Sequence, residues 1–230
     1  MPDDQPVFLI TGASTGIGAA TAHAAVAAGY RVVLAARSAG KLVALASELG
    51  GDGTALSVPT DVTDFPAQEA LVETALGRFG RLDVVFANAG FGAKRGFLEE
   101  TPEQWRDMVL TNVLGAAFTI RATMPALRER RGHLILTSSV AGRRVLPGSL
   151  YSATKHAVTA MGEALRLEAD GAFRVTTIEP GMVDTPFFDS PPTSPALRPE
   201  DVAEAVLWAT RQPEHVDVNE VLIRPTAQPG

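Results

Sequence analysis

Tyr151 and Lys155 stand four residues apart in Tyr151-Ser152-Ala153-Thr154-Lys155, the spacing that puts two side chains on one face of a helix. A phenol on that face sits in the field of an ammonium, and a neighbouring cation favours the phenolate over the phenol, whose ordinary pKa is about 10. A tyrosine tuned in this way acts as a general acid or base near neutral pH. Ser138 ends a strand-like apolar run thirteen residues earlier, and Pro147 and Gly148 break the segment between, so a strand end and a helix start can converge. A proton donor, a hydroxyl that polarises a carbonyl and a cation are a protein's share of a carbonyl–alcohol reaction. A hydride donor is the missing part.

The run Thr11-Gly12-Ala13-Ser14-Thr15-Gly16-Ile17-Gly18 offers that donor a place, because it lies after the first strand-like segment and opens an alanine-rich helix. Glycines there let backbone N–H groups and the positive helix end approach a pyrophosphate. Where the second strand ends, the chain reads Ala36-Arg37-Ser38. A ribose 2′-hydroxyl calls for a carboxylate at this point and a 2′-phosphate calls for an arginine, so NADP(H) is expected over NAD(H). Asp61-Val62 after the third strand could accept from the adenine amino group, and Asn88-Ala89-Gly90 after the fourth could floor the ribose. Each alone is also what an ordinary turn contains; their order along the chain joins them. Asn112, a poor helix former inside a helical stretch, could hold a water that passes protons to Lys155.

Strand-like and helical segments alternate, as in βαβ units around a parallel sheet. The pattern predicts strands at Val7–Ile10, Arg31–Ala36, Thr54–Val58, Asp83–Ala87, His133–Thr137, Arg174–Glu179 and about Glu220–Arg224. Between them it predicts helices, among them Lys41–Leu49, Pro66–Phe79, one running from Pro102 to about Arg131, Tyr151–Ala169 and Pro199–Gln212. Asp184–Leu197, with four prolines, reads as a substrate lid over about 184–198.

The 230 residues, 46% apolar, suit one α/β domain over 1–230. A net charge of −6 argues against a nucleic-acid partner. No apolar run reaches the ~20 residues that span a bilayer, the start lacks a basic leader, and cysteine is absent, so a cytoplasmic protein is expected. Four histidines show no metal-ligand spacing.

The chain resembles the short-chain dehydrogenase/reductases in Thr11-Gly12-x-x-x-Gly16-x-Gly18, Asn88-Ala89-Gly90, Asn112, Ser138, Tyr151-x-x-x-Lys155 and Pro180-Gly181. The resemblance implies a single-domain, Rossmann-like, doubly wound parallel sheet and an NAD(P)-linked alcohol/carbonyl reaction. It implies an Asn112-Ser138-Tyr151-Lys155 catalytic set, with Pro180, Gly181, Val183 and Thr185 lining the nicotinamide. It also implies a homodimer or homotetramer built on the helices through Asn112 and Tyr151, where Ala153, Ala157, Ala160 and Ala164 form a small-residue face. Phe86-Ala87 replaces a second asparagine common in the family, and the segment after Thr185 is short, so the lid is expected to be small.

Glu179-Pro180-Gly181-Met182-Val183-Asp184-Thr185 and the ending Val221-Leu222-Ile223-Arg224-Pro225-Thr226 are similar to the serine and 3-hydroxy-acid dehydrogenase branch. Arg143-Arg144 and Lys94-Arg95 could draw a carboxylate to the mouth, against apolar Met182, Phe187 and Phe188. Two other functions share these features. A non-catalytic NADP(H)-binding redox sensor would not need Ser138, Tyr151 and Lys155, and a sugar-nucleotide epimerase or dehydratase would need a larger substrate domain.

Overall fold

Strands whose two faces are both apolar can be satisfied only between two helical layers, and that is the arrangement found. The computed structural model describes residues 4–92, 94, 96–147, 149–186 and 195–228. Strands β1 (Val7–Thr11), β2 (Arg31–Ala36), β3 (Ala55–Pro59), β4 (Val84–Ala87), β5 (His133–Thr137), β6 (Arg174–Pro180) and β7 (Glu220–Ile223) form one sheet in the order β3-β2-β1-β4-β5-β6-β7. Every pairing is parallel. Helices α1 (Gly16–Ala27), α2 (Ala39–Glu48), α3 (Phe65–Phe79), α4 (Pro102–Val109), α5 (Ala116–Arg130), α6 (Leu150–Ala169) and α7 (Pro199–Thr210) supply the crossovers.

Side chains alternate across each strand, and two cores result. Phe8, Ile10, Val32, Leu34, Phe86, Ile135 and Ile178 face α1, α2 and α7 through Ala22, Leu42, Leu45, Val202 and Val206. Val7, Leu9, Val33, Val85, Leu134, Leu136 and Val175 face α3, α5 and α6 through Leu71, Phe79, Leu127, Val158 and Leu165. Each fully buried leucine or phenylalanine contributes about 1.5–3 kcal/mol, so the two layers hold the strand ends in fixed register. The order in which strands are added reverses between β1 and β4, and the crevice outside their carboxyl ends is where ligands bind in such sheets.

The long helix expected from Pro102 to about Arg131 is interrupted. Thr101 caps α4 through a capping box with Gln104, α5 ends before a left-handed Arg131, and the π-helical turn Leu110–Gly115 separates them. Such turns insert one residue per turn and re-aim a side chain, here Asn112. Helix α6 starts sharply because the Ser149 hydroxyl accepts from Ser152 N and the Ser152 hydroxyl accepts from Leu146 N at 2.9 Å. Tyr151 is therefore locked in the first turn.

Of the expected lid, the base is a parallel bridge between Val183 and Leu197. Residues 187–194, which include Phe187, Phe188, Pro191 and Pro192, lie outside the described residues, as do Arg95 and Gly148. No helix among the described residues is long and apolar enough to cross a membrane.

Candidate active site

The ends of β1, β4 and β5 are laced together by short polar side chains. The buried Thr11 hydroxyl accepts from Asn88 N at 3.0 Å and Ala89 N at 3.1 Å. The Asn88 amide donates to Thr11 O at 3.1 Å and accepts from the Thr137 hydroxyl at 3.2 Å. Lys155, 4% exposed, closes the chain by donating from Nζ to Thr137 O at 2.8 Å. Thr11, Asn88 and Thr137 thus shape the crevice; Thr11 opens the glycine motif, whereas no signal in the sequence marks Thr137.

One end of the crevice fits a dinucleotide. Gly12 has φ +65°, and a Cβ there would lie 2.9 Å from Ala89 Cα; a Cβ on Gly18 would lie 2.3 Å from Gly12 O. Only glycine allows the turn to press this closely on β4 and on the first turn of α1. Thr15 begins α1 with no side-chain cap and no acid in the first turn, which leaves the N–H groups of Gly16, Ile17 and Gly18 available to an anion. Ser14, Thr15, Gly16 and Ile17 line a cavity of about 450 Å³ together with Ala36, Arg37, Ser38, Asp61, Val62, Asn88, Ala89 and Gly90. Asp61 is held below the ordinary carboxylate range by the Thr63 N–H, and Arg37 adds to the effect. Buried Gln68 fixes the neighbouring loop, donating to Val62 O at 2.8 Å and Gly115 O at 3.0 Å.

Asn112 points into the same region but is committed. Its amide accepts from Phe91 N at 3.0 Å and donates to Phe91 O at 2.9 Å and to the Thr154 hydroxyl at 3.2 Å. It pins the Gly90–Phe91 backbone against Lys155, and its side chain is a clamp on that loop where a water relay was expected.

The other end of the cavity carries Tyr151, Ser139, Lys155, Pro180, Gly181, Val183 and Thr185. Here the geometry departs from the expectation for Ser138. The Ser138 hydroxyl, 2% exposed, bonds Lys155 O at 3.0 Å and the Thr159 hydroxyl at 2.8 Å, beneath α6. Ser139 is the serine that bonds the Tyr151 hydroxyl, and it also donates to Pro180 O at 3.4 Å. Strand parity explains the exchange. Ser138 continues the face of Leu134 and Leu136, which packs toward α5 and α6, while the next residue turns to the other side.

The titration of the pair also differs from the expectation. Burial pushes the Tyr151 phenol up to about 12, with the Ser139 hydrogen bond pulling the other way. Burial draws Lys155 down to about 8. The ammonium lies 5.6 Å from the centre of the Tyr151 ring and is bound to a carbonyl, so loss of hydration outweighs its attraction for a phenolate. Tyr151 is therefore a loaded acid at neutral pH.

Arg143 does not reach the mouth. Its Nε donates to both Glu179 carboxylate oxygens, at 2.9 and 2.7 Å, and its guanidinium also pairs with Glu220. Glu179 is fully buried and accepts from the Thr159 hydroxyl at 3.3 Å as well. Arg143 ends the short helical turn Val140–Gly142 that follows Ser139, so this ion pair ties the turn to β6 and β7. Arg143→Met leaves a carboxylate buried without its cation and should cost about 3 kcal/mol in urea unfolding. The double variant Arg143→Met/Glu179→Leu should recover most of that loss. A cost below about 1 kcal/mol for the single variant would remove the pair from this role.

The family model for short chain dehydrogenases matches residues 6–194. An uncharacterised oxidoreductase of Staphylococcus aureus (strain USA300) is 40% identical over 224 residues, 95% of this chain and 96% of that protein. Among solved structures, an alcohol dehydrogenase of the archaeon Thermococcus sibiricus complexed with 5-hydroxy-NADP superposes with a TM-score of 0.93 at 34% identity, covering 99% of both chains. A 3-ketoacyl-(acyl-carrier-protein) reductase of Brucella melitensis complexed with NADH gives 0.87 at 30% identity, over 97% of this chain and 98% of that one. Serine dehydrogenase of Escherichia coli gives 0.88 at 32% identity, over 97% of this chain and all of that one. A seven-stranded parallel sheet, a glycine turn that only glycine can make and a Tyr-Lys pair at its switch point thus coincide with these matches, and the chain belongs to the short chain dehydrogenase family.

Proposed function

We propose that the protein is an NADP(H)-dependent oxidoreductase that interconverts a secondary alcohol and a carbonyl on a small substrate, with Tyr151 as the acid and base. The observation that carries this reading is that Tyr151, Ser139 and Lys155 line the same cavity as the anion-binding turn of α1. A non-catalytic sensor would have no use for that convergence.

The residues divide the work. The backbone of Gly16, Ile17 and Gly18 would hold the pyrophosphate, and Arg37 and Ser38 at the end of β2 would hold a 2′-phosphate. Pro180 to Thr185 and Lys155 would flank the nicotinamide. NADPH, when bound, supplies a hydride to the carbonyl carbon. Ser139 turns its one hydroxyl proton from Pro180 O to the carbonyl oxygen, and Tyr151 delivers its proton there as charge develops. The Lys155 ammonium then stabilises the phenolate that remains. In the oxidative direction Tyr151 must first lose its proton, so that direction gains with rising pH.

The substrate end is apolar, with Phe91, Val140, Leu146, Met182 and Pro186 in its wall. Of the cations expected at the mouth, Arg143 is bound to Glu179, Arg144 and Lys94 do not line the cavity, and Arg95 lies outside the described residues, which favours an uncharged carbonyl compound over the 3-oxo acid. The outer faces of α4 to α6 expose Val109, Leu114 and Leu167 beside Ala153, Ala160 and Ala164, which supports a homodimer or homotetramer packed on these helices. A chain without cysteine suits the reducing cytoplasm.

Calorimetric titration should find NADPH bound more tightly than NADH. Arg37→Ala should weaken NADPH by about 1.5–3 kcal/mol, roughly ten- to a hundredfold, and leave NADH nearly unchanged. Equal affinity of the native protein for both cofactors would sink the preference.

NADPH oxidation against a panel of small ketones and aldehydes tests the reaction itself. Tyr151→Phe should lower kcat by about 10²–10⁴-fold and Ser139→Ala by about 10²–10³-fold, each with NADPH affinity intact. Ser138→Ala should stay within about threefold of native kcat while losing about 1 kcal/mol of stability. The reverse ranking of the two serines, or no turnover of any carbonyl, would overturn the assignment.

A further inference from the structure

The chain beyond β7 folds back over the site, and its last described side chain forms part of the cavity wall. Gln228 N donates to Pro225 O at 3.0 Å, which makes a turn, and Gln228 Oε1 accepts from Met182 N at 2.9 Å. Gly181 N in turn donates to Ile223 O at 2.7 Å, so β7 and the turn together seat the Gly181–Met182 backbone. The contact is close. A Cβ on Gly181 would lie 2.1 Å from Gln228 Oε1, so glycine there makes room for the amide.

This seating fixes which way the amide points. An N–H group must meet the carbonyl oxygen of the amide, because an NH₂ group in that place would oppose donor to donor. Nε2 is therefore turned away from Met182, and the Met182 bond is the one hydrogen bond of this side chain among the described residues. Gln228 lines the same cavity as Gly181, Met182, Pro186 and Tyr151. A polar N–H₂ in a largely apolar wall selects for a ligand atom that accepts from it, since burying it without a partner costs free energy.

Resting on the oxidoreductase reading above, we infer that Gln228 is a specificity-determining residue whose Nε2 donates to a second, uncharged acceptor on the substrate, such as an ester or amide carbonyl. An ionised acceptor is disfavoured. Among the described residues the cations in the cavity wall are Arg37, at the adenosine end, and Lys155, which is bound to Thr137. The substrate class is thus a neutral carbonyl compound with a second carbonyl-type acceptor.

Two probes of similar size separate this from a general supporting role: ethyl acetoacetate, which carries the second acceptor, and methyl butyl ketone, which lacks it. Gln228→Met removes both the donor and the acceptor that seats Met182 N, so kcat/KM should fall on both probes and about tenfold further for ethyl acetoacetate than for methyl butyl ketone, chiefly through KM. Gln228→Glu keeps an acceptor for Met182 N and removes the donor, so it should show the same selective loss with an unchanged melting temperature. A second readout needs no turnover. In proton–nitrogen correlation spectra of the NADP-bound protein, the Gln228 side-chain amide signals should shift on adding ethyl acetoacetate and not on adding methyl butyl ketone. Equal losses on both probes, no loss on either, or an unmoved amide signal would overturn the role of Gln228. A shifted amide without any NADPH oxidation would keep that role and sink the oxidoreductase reading instead.

Discussion

A buried ammonium sets the terms for this fold. Lys155 is 4% exposed, and burying a cation without partners is among the costliest things a protein can do. Its compensation comes from backbone, through Thr137 O at the carboxyl end of β5, and from the face of the Tyr151 ring. Neither is available unless β5 ends where it does and α6 begins one loop later. The hydroxyl and amide lacing of Thr11, Asn88 and Thr137 fixes the three strand ends relative to that carbonyl. Asn112 and Gly90 then close the remaining side, where a Cβ on Gly90 would lie 3.1 Å from Asn112 Oδ1.

The two ends of the cavity follow different physics. At the α1 end the cavity presents backbone N–H groups, a helix terminus and one exposed arginine, all suited to a polyanion in water's reach. At the α6 end the walls are apolar, and the polar groups there are already oriented by the protein: Ser139 by its turn, Tyr151 by the capped start of α6, Gln228 by Met182 N. Preorganisation of this kind lowers the reorganisation needed as charge develops on an oxygen. The Arg143–Glu179 pair belongs to that order, although it stands outside the cavity, because it anchors the turn that carries Ser139.

Much of this was legible from the chain alone. The inner strands, buried on both faces, read as continuous apolar runs; all seven strands are found with no end displaced by more than one residue, and the glycine turn falls between β1 and α1 as expected. What was missed depends on partners distant in sequence. The π-helical turn at Leu110–Gly115 exists because Asn112 must meet the Phe91 backbone, and helix propensity carries no trace of that demand. Arg143 reads as a loop cation open to a substrate carboxylate until Glu179 and Glu220 come to it across the sheet. The choice between Ser138 and Ser139 was within reach, since counting parity from Leu134 and Leu136 sends Ser138 toward the helices. The spacing of Tyr151 and Lys155 gave their proximity, whereas burial, which raises the phenol and lowers the ammonium, leaves no mark in that spacing.

The site therefore turns on the charge state of one side chain. Nitrogen-detected titration of the Lys155 ammonium in the free protein, assigned by its loss in Lys155→Met, measures it directly. Burial predicts a midpoint near 8, well below the ordinary 10.5, with the cation present at neutral pH and surrendered in mild alkali. A Lys155 that titrates near 10.5 would show a solvated lysine, and the buried cation on which the strand ends and the chemistry are here made to depend would not exist.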